Sequence, residues 1–96
     1  MVRFEWHDGK NEANRLKHGI DFATAELVFD DPNHISFIAN VADDEERWVA
    51  IGLAEAVVVL VVVHTYRESS PDSVIRIISA RRATRHERSL YAQANI

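Results

Sequence analysis

The hydrophobic pattern at the start of the chain predicts a strand followed by a helix. In residues 2–6 hydrophobic and charged side chains alternate, which is the period of a half-buried strand. Asp8 suits the N-cap of a helix that runs to about Lys17. Gly19 stands where the left-handed residue of a C-cap belongs, so we expect the helix to end there.

A second helix is predicted directly afterwards. Asp21 is its expected N-cap, and the dipeptide Asp31-Pro32 is its expected end. Spacings of three and four residues separate most members of its hydrophobic stripe, as on the buried side of a helix. The stripe consists of Phe22, Ala25, Val28 and Phe29.

From residue 35 the pattern changes to hydrophobic runs separated by turns, which is typical of strands. The predicted strands are 35–41, 47–53, 57–63 and 74–80, with turns at 42–46, 54–55 and 68–72. The strand 57–63 is hydrophobic at every position, so we place it in the centre of the sheet with both faces covered. Because short turns join these strands, they should form an antiparallel meander.

The last predicted element is a helix from about Arg82 to Ala94, with a hydrophobic side made of Ala83, Leu90, Tyr91 and Ala94. Glu87 falls on the same side, and we expect it to pair with a nearby arginine because a half-buried carboxylate needs a partner. The chain therefore predicts one α+β domain over residues 1–96. Its order is strand, two helices, four-stranded antiparallel meander and C-terminal helix.

Composition narrows the class of protein. The absence of cysteine excludes disulfides, Cys-based metal sites and Cys nucleophiles. The longest hydrophobic run, residues 56–63, is far shorter than the ~20 residues of a membrane-spanning helix. The N-terminus lacks the hydrophobic core of a signal peptide. We therefore expect a cytoplasmic protein that does not associate with membranes.

The net charge of −4 conceals an uneven distribution. Residues 1–63 carry five Lys or Arg against twelve Asp or Glu, a net −7, whereas residues 64–96 carry six against three, a net +3. The segment 76–88 alone holds five of the eleven Lys and Arg residues. Arginine stays charged and binds phosphate through two parallel N–H hydrogen-bond donors, so this segment is a candidate phosphate-binding surface. The alternative is an arginine-rich face in contact with water only.

The polar residues contain no motif of a metal or cofactor enzyme. The five histidines never show the four-residue spacing of paired helical ligands, and the three glycines do not form a phosphate-binding loop. The acidic run 43–46 is interpreted as a solvated turn. We therefore expect no metal and no cofactor. The basic, histidine and glutamate side chains that remain suit metal-free RNA cleavage, which requires proton transfer and stabilisation of charge on phosphorus.

Each candidate for this chemistry also has a purely structural interpretation. Lys17 and His18 are proton-transfer candidates, or only charges that complement the negative end of a helix. Arg67 is a phosphate ligand or a loop charge. His64 and Tyr91 are more simply a strand-end residue and a core residue.

The chain resembles the BrnT-type toxins of bacterial type II toxin–antitoxin modules in several ordered segments. These are FEW at 4–6, NRLKHGIDF at 14–22, VFDDP at 28–32, ERWVAIG at 46–52 and RIISARRATRHERSLY at 76–91. The most specific segments are KHG and RIISAR, and together the segments span nearly the whole chain. One departure is His7-Asp8-Gly9-Lys10, where the family more commonly reads Asp-Pro-x-Lys.

The resemblance implies a small ribonuclease with a RelE-like fold and a partner antitoxin. This antitoxin would be BrnA-like, with a ribbon-helix-helix part that binds operator DNA for the complex, and a toxin–antitoxin heterotetramer is an expected assembly. By position, the family signatures correspond to Lys17, His18, Arg47, Arg76, Arg81 and Glu87. We also expect the antitoxin to cover the surface of 76–88 with acidic residues, because that surface is the positive part of the chain.

We therefore predict an endoribonuclease toxin that cleaves mRNA and inhibits translation. Its expected catalytic residues are Lys17, His18, Arg67, Arg81 and Glu87, and its expected RNA-binding residues are Arg47, Arg76, Arg82, Arg85 and Arg88. Glu87 either transfers a proton or only orients an arginine. The alternatives are a non-catalytic nucleic-acid-binding or corepressor subunit, and a protein-interaction domain whose basic surface binds an acidic peptide.

Overall fold

A five-stranded mixed sheet with helices against both faces forms the framework of the chain. The structure is a computed structural model that describes residues 1–55, 58–69 and 71–95. In chain order the elements are β1 (Val2–Glu5), α1 (Asp8–His18), α2 (Phe22–Glu26), a 3₁₀ helix (Leu27–Asp30), β2 (Ile35–Ala42), β3 (Glu45–Ala54), β4 (Val58–Ser69), β5 (Asp72–Arg82) and α3 (Arg85–Ala94). The predicted α+β class and element order are confirmed. Val57, the predicted start of a strand, and Ser70, in a predicted turn, lie outside the described residues.

The strands lie in the order β1-β5-β4-β3-β2. Strands β2 to β5 form the predicted antiparallel meander, and β4 lies at the centre as its uniform hydrophobicity indicates. β1 joins the sheet as a fifth strand, parallel to β5 over Ser73–Arg76. The local pattern of β1 predicted a strand but not its neighbour, because this pairing joins residues about seventy positions apart.

The two faces of the sheet are covered by different helices. One face packs against α1, α2 and the 3₁₀ helix, with Phe22, Val28 and Val62 fully buried between them. The other face carries a smaller cluster that includes Ile51 and Val61, and α3 packs on it through half-buried side chains. None of the described helices has the length and hydrophobicity needed to cross a membrane.

Some helix ends lie where the sequence predicts them, and others do not. Gly19 ends α1 with φ 73°, and the Asp21 carboxylate caps α2 by accepting from the Thr24 N–H at 2.8 Å, as predicted. The N-cap of α1 is His7 rather than Asp8, since His7 Nδ1 accepts from the Lys10 N–H at 3.2 Å. The expected single second helix is instead the short α2 followed by the 3₁₀ helix.

The last helix begins at Arg85, three residues later than predicted. β5 stays paired with β4 as far as Arg82, and the Thr84 hydroxyl then caps the helix. Ala83 therefore lies buried in the connection and not on the helix, and Ala94 is exposed. The expected hydrophobic side of α3 is thus reduced to Leu90 and Tyr91, both half-buried.

Asp31 ties α3 to the rest of the fold. Its Oδ2 accepts from the Tyr91 hydroxyl at 2.6 Å and from the Leu53 N–H at 2.8 Å. Burial acts to raise the pKa of Asp31, but these hydrogen bonds outweigh it and lower the pKa overall. Burial and the Asp31 carboxylate together raise the pKa of Tyr91 to about 12. Tyr91 therefore has the structural role that the sequence suggests, since it packs against the sheet and its hydroxyl donates a hydrogen bond to Asp31.

Candidate functional site

Arginines gather on the sheet face that carries α3. Cross-strand pairing and the alternation of side chains place Arg47 of β3, Arg67 of β4, and Arg76 and Arg81 of β5 on this side. We call this surface the cationic face. Three of these four arginines are paired with glutamates, each from a different part of the chain.

Arg81 and Glu87 form a two-pronged ion pair where β5 leads into α3. Arg81 Nη1 donates to Glu87 Oε1 at 2.7 Å, and Nη2 donates to Oε2 at 2.8 Å. Glu87 Oε1 also accepts from the Thr84 N–H at 2.8 Å, as part of a capping box. The Thr-x-x-Glu spacing at 84–87 is a known sequence signal for such a box, and it marks both the true helix start and the position of Glu87.

The ion pair fixes the charge state of both groups. The hydrogen bonds from Arg81 lower the pKa of Glu87 to about 2, against the opposing effect of burial. The same contact raises the pKa of Arg81. At neutral pH Glu87 is therefore ionised with both oxygens engaged, which makes it a poor proton acceptor. Of the two roles that the sequence leaves open for Glu87, this geometry favours the orientation of an arginine.

Arg67 and Arg76, the other paired arginines of the cationic face, are each about half exposed. Arg67 pairs with Glu5 of β1 at 3.2 Å, and Arg76 pairs with Glu45 of β3 at 2.9 Å. The Nε of Arg47 is buried, and no hydrogen-bond partner for it lies within the described residues. Exposed pairs of this kind contribute little to stability, so a phosphate can compete for these guanidinium groups.

Lys17 and His18 lie at the edge of the sheet and not on the cationic face. They occupy the last turn of α1, where they line a shallow depression of about 230 Å³ together with Lys10, Ile78 and Ser79. β1 pairs with β5 only as far as Arg76, so this part of β5 pairs with β4 on one edge and has no strand on its other edge among the described residues.

The five predicted catalytic residues thus occupy three positions. Arg67 is six residues along β4 from the position opposite Arg81, about 20 Å at about 3.3 Å per residue. By contrast, Ser79 beside Lys17 is two residues from Arg81 on β5, or about 7 Å. The structure therefore brings Lys17 and His18 towards the Arg81–Glu87 pair and leaves Arg67 at the far end of the sheet.

The remaining predicted RNA-binding residues surround the start of α3. Arg82, Arg85 and Arg88 are exposed, and Arg88 Nη1 donates to the Ala83 carbonyl at 3.0 Å. Within residues 1–55, 58–69 and 71–95, no three His, Asp or Glu side chains converge as metal ligands.

Asn14 is the residue of this region that sequence reasoning missed. It is buried between α1 and β5, and its amide bonds the backbone of Ala80. A polar residue on a short, mostly polar helix gives no local signal of such a role. Asn14 is nevertheless the first residue of segment 14–22, one of the segments in which the chain resembles the BrnT-type toxins.

Comparison with known proteins decides the family. The sequence model of "Ribonuclease toxin, BrnT, of type II toxin-antitoxin system" matches residues 6–87. The chain belongs to this BrnT family. The crystal structure of the Brucella abortus ribonuclease toxin BrnT, at 1.1 Å resolution, is similar to it with a TM-score of 0.66 and 25% sequence identity. The match covers 88% of this chain and 100% of the Brucella chain. No curated protein sequence matches.

Membership of the BrnT family confirms the resemblance noted in the sequence. The matched segment includes Lys17 and His18 of α1 as well as the Arg81–Glu87 pair, so all four residues lie within the family region. A type II toxin–antitoxin family also implies a protein antitoxin as the partner of this chain.

Proposed function

We propose that this chain is an endoribonuclease toxin that cleaves mRNA without a metal ion and so inhibits translation. The observation that carries the proposal is the Arg81–Glu87 pair at the end of β5, in a chain of a ribonuclease toxin family. Two hydrogen bonds hold the Arg81 guanidinium in place, yet 43% of its side chain is exposed. A preorganised and accessible cation of this kind stabilises negative charge that develops on a bound phosphate.

In the proposed reaction, RNA crosses the end of β5 between α1 and α3. The ribose 2′-oxygen attacks the adjacent phosphorus and loses its proton, while the bond from phosphorus to the 5′-oxygen breaks and that oxygen gains a proton. Arg81 stabilises the additional charge on the phosphoryl oxygens. Lys17 and His18, which line the depression beside Ser79, two residues before Arg81 on β5, are the groups that exchange protons with these oxygens. Glu87 acts as a positioning residue for Arg81.

The flanking arginines hold the RNA. Arg82, Arg85 and Arg88 surround the reacting end of β5, and Arg47 and Arg76 extend the cationic face towards the opposite end of the sheet. Arg67 contacts a more distant phosphate of the same strand. Because Glu5 and Glu45 neutralise part of this field, we expect binding of moderate strength that weakens as salt concentration rises.

We further propose that a BrnA-like ribbon-helix-helix antitoxin neutralises the toxin. The complex, as a toxin–antitoxin heterotetramer, would contact operator DNA through the antitoxin only. Both activities place the protein in the cytoplasm, where mRNA and operator DNA are found. The support for this part is the membership of a type II toxin–antitoxin family.

The test is expression and RNA cleavage. Expression without the antitoxin should stop bacterial growth, and purified protein should cleave RNA in excess EDTA. Cleavage that EDTA abolishes and Mg²⁺ restores would contradict the metal-free mechanism. Salt-sensitive binding that leaves the RNA intact would instead favour the non-catalytic nucleic-acid-binding subunit.

A further inference from the structure

The sheet face opposite the cationic face contains a cavity of about 300 Å³. Its walls are mainly aromatic and imidazole rings, from Phe29, His34, Trp48, His64 and Tyr66. The Phe29 ring centroid lies 4.9 Å from that of His64 and 5.8 Å from that of His34, in edge-to-face contact. Burial lowers the pKa of His64, so the His64 ring is uncharged at neutral pH. We call this opening the aromatic cavity, and its size suits one bulky hydrophobic side chain.

Exposed hydrophobic residues continue outward from the aromatic cavity. The register of β2 skips one residue between Ile38 and Asn40, so Ile38 and Val41 point to the same side of the sheet as Trp48 and Tyr66. The exposed fractions are 47% for Ile38, 62% for Val41 and 45% for Tyr66. We call Ile38, Val41, Tyr66 and the aromatic cavity the docking surface. Exposed hydrophobic side chains beside an apolar cavity are typical of a protein–protein contact.

Carboxylates border the docking surface. Glu46 lies directly opposite Val41, and Glu68 follows Tyr66 by two residues on the same face. Both glutamates are exposed, as are Asp43 and Asp44 in the adjoining turn. This border repels phosphate and attracts Lys and Arg, so it favours a cationic protein segment over RNA.

The docking surface is continuous with the outer edge of the sheet. β2 is the last strand in the order and pairs only with β3, so its other backbone edge carries no strand in the described part of the chain. Residues 36–41 are all exposed. An edge with hydrophobic side chains and available backbone groups is suited to the addition of an extended segment from a partner.

We propose that the docking surface binds the protein antitoxin. An extended antitoxin segment adds to β2, places one bulky hydrophobic side chain in the aromatic cavity and sets Lys or Arg residues against Glu46 and Glu68. This inference rests on the proposed function, because it requires a toxin with a protein antitoxin. It assigns the anchor of the complex to the face opposite Arg81, whereas the sequence predicts contact with the surface of 76–88.

The test is the affinity of the cognate antitoxin for toxin variants. Ile38→Ser with Val41→Ser should weaken binding at least about tenfold, because truncated interface anchors typically cost this much or more. Leu16→Ser is the matched control, since Leu16 is 73% exposed on α1 and lies outside the docking surface. Its affinity should equal that of the wild type.

Charge variants give a second readout that does not depend on hydrophobic packing. Glu46→Lys with Glu68→Lys should slow association markedly, whereas Arg85→Glu with Arg88→Glu should leave it unchanged. Wild-type affinity in both docking-surface variants would overturn the proposal. A loss of affinity confined to the Arg85→Glu, Arg88→Glu variant would do the same and would return the antitoxin to the cationic face.

Two further measurements separate the other possible occupants. RNA cleavage by the free Ile38→Ser, Val41→Ser variant should match the wild type, and a loss of cleavage in the folded variant would mean that the surface binds RNA. Sedimentation of the toxin alone should show no dimer that this variant dissociates, since such a dimer would assign the surface to a second copy. If wild-type protein cleaves no RNA, the proposed nuclease fails, while antitoxin affinity still tests the docking surface.

Discussion

The side-chain amide of Asn14 makes the pair of hydrogen bonds with the backbone of Ala80 that a neighbouring strand would otherwise make. Its Nδ2 donates to the Ala80 carbonyl at 2.8 Å, and its Oδ1 accepts from the Ala80 N–H at 3.1 Å. The same Nδ2 also donates to the Ile20 carbonyl at 2.9 Å. Since Arg81 follows Ala80, this contact fixes α1, with Lys17 and His18, against the part of β5 that carries Arg81.

Asn14→Ala should therefore lower the free energy of unfolding by about 3 kcal/mol or more, because three buried backbone groups each lose a partner at about 1–3 kcal/mol. Urea denaturation measures the change. Asn95→Ala is the control, since Asn95 makes its hydrogen bonds at the exposed end of α3. A loss below about 1 kcal/mol in Asn14→Ala would show that water replaces the amide and that α1 is not fixed in this way.

Arg81→Ala should reduce the rate of RNA cleavage by about 10²–10³-fold and keep the fold, as expected for the loss of one preorganised charge donor. Arg82→Ala is the matched control, because Arg82 is the next residue of β5 but its exposed side chain points to the opposite face. Its effect should be several-fold at most. Equal rates for folded Arg81→Ala and the wild type would remove Arg81 from the site.

Features set by local pattern could be predicted, whereas features set by distant pairing could not. The uniform hydrophobicity of residues 57–63 correctly placed β4 at the centre, and Gly19 and Asp21 correctly marked helix ends. The start of α3 was wrong because helical periodicity at 82–84 competes with pairing between β5 and β4, and the pairing wins. The Thr84 to Glu87 spacing held the better signal.

The candidate site shows the same division. A partner for Glu87 was predicted, but its identity depends on the side of the sheet to which Arg81 points, and that is fixed by the register of β5. The sequence predicts Arg67 and Arg81 in one catalytic set. The length of β4, which the sequence pattern does not reveal, separates them by about 20 Å. The aromatic cavity was not predicted, because His34 and His64 come together only when β2, β3 and β4 pair.

Glu87→Gln tests the positioning role through the dependence of stability on pH. Because the folded-state pKa of Glu87, about 2, lies below the ordinary 4.5, its ionised form stabilises the fold above pH 4.5, and this contribution is lost as the pH falls towards 2. The variant should therefore lose less stability than the wild type over this range, as measured by urea midpoints. In Glu12→Gln the lost carboxylate also has a pKa lowered by its pair with Arg15, but that pair is exposed and screened by solvent, so this variant should change the pH dependence much less.

The same Glu87→Gln variant should keep part of the cleavage activity, since a glutamine oxygen still accepts from one Arg81 nitrogen. Its loss should be smaller than that of Arg81→Ala. A loss as large as that of Arg81→Ala, with the fold intact, would instead assign proton transfer to Glu87.

Lys17 can serve the reaction in two ways, and Lys17→Arg separates them. Arginine retains the positive charge and binds phosphate, but it does not release a proton at any pH relevant to proteins. If Lys17 transfers a proton, as we propose, both Lys17→Arg and Lys17→Ala should lose about 10²–10⁴-fold in cleavage rate. If it only binds phosphate, Lys17→Arg should cleave RNA at close to the wild-type rate while the rate of Lys17→Ala declines.

Arg15→Ala is the control on the same helix, because Arg15 pairs with Glu12 away from the depression beside Ser79. Wild-type rates in both Lys17 variants would leave proton transfer to His18, and His18→Gln should then show the full loss.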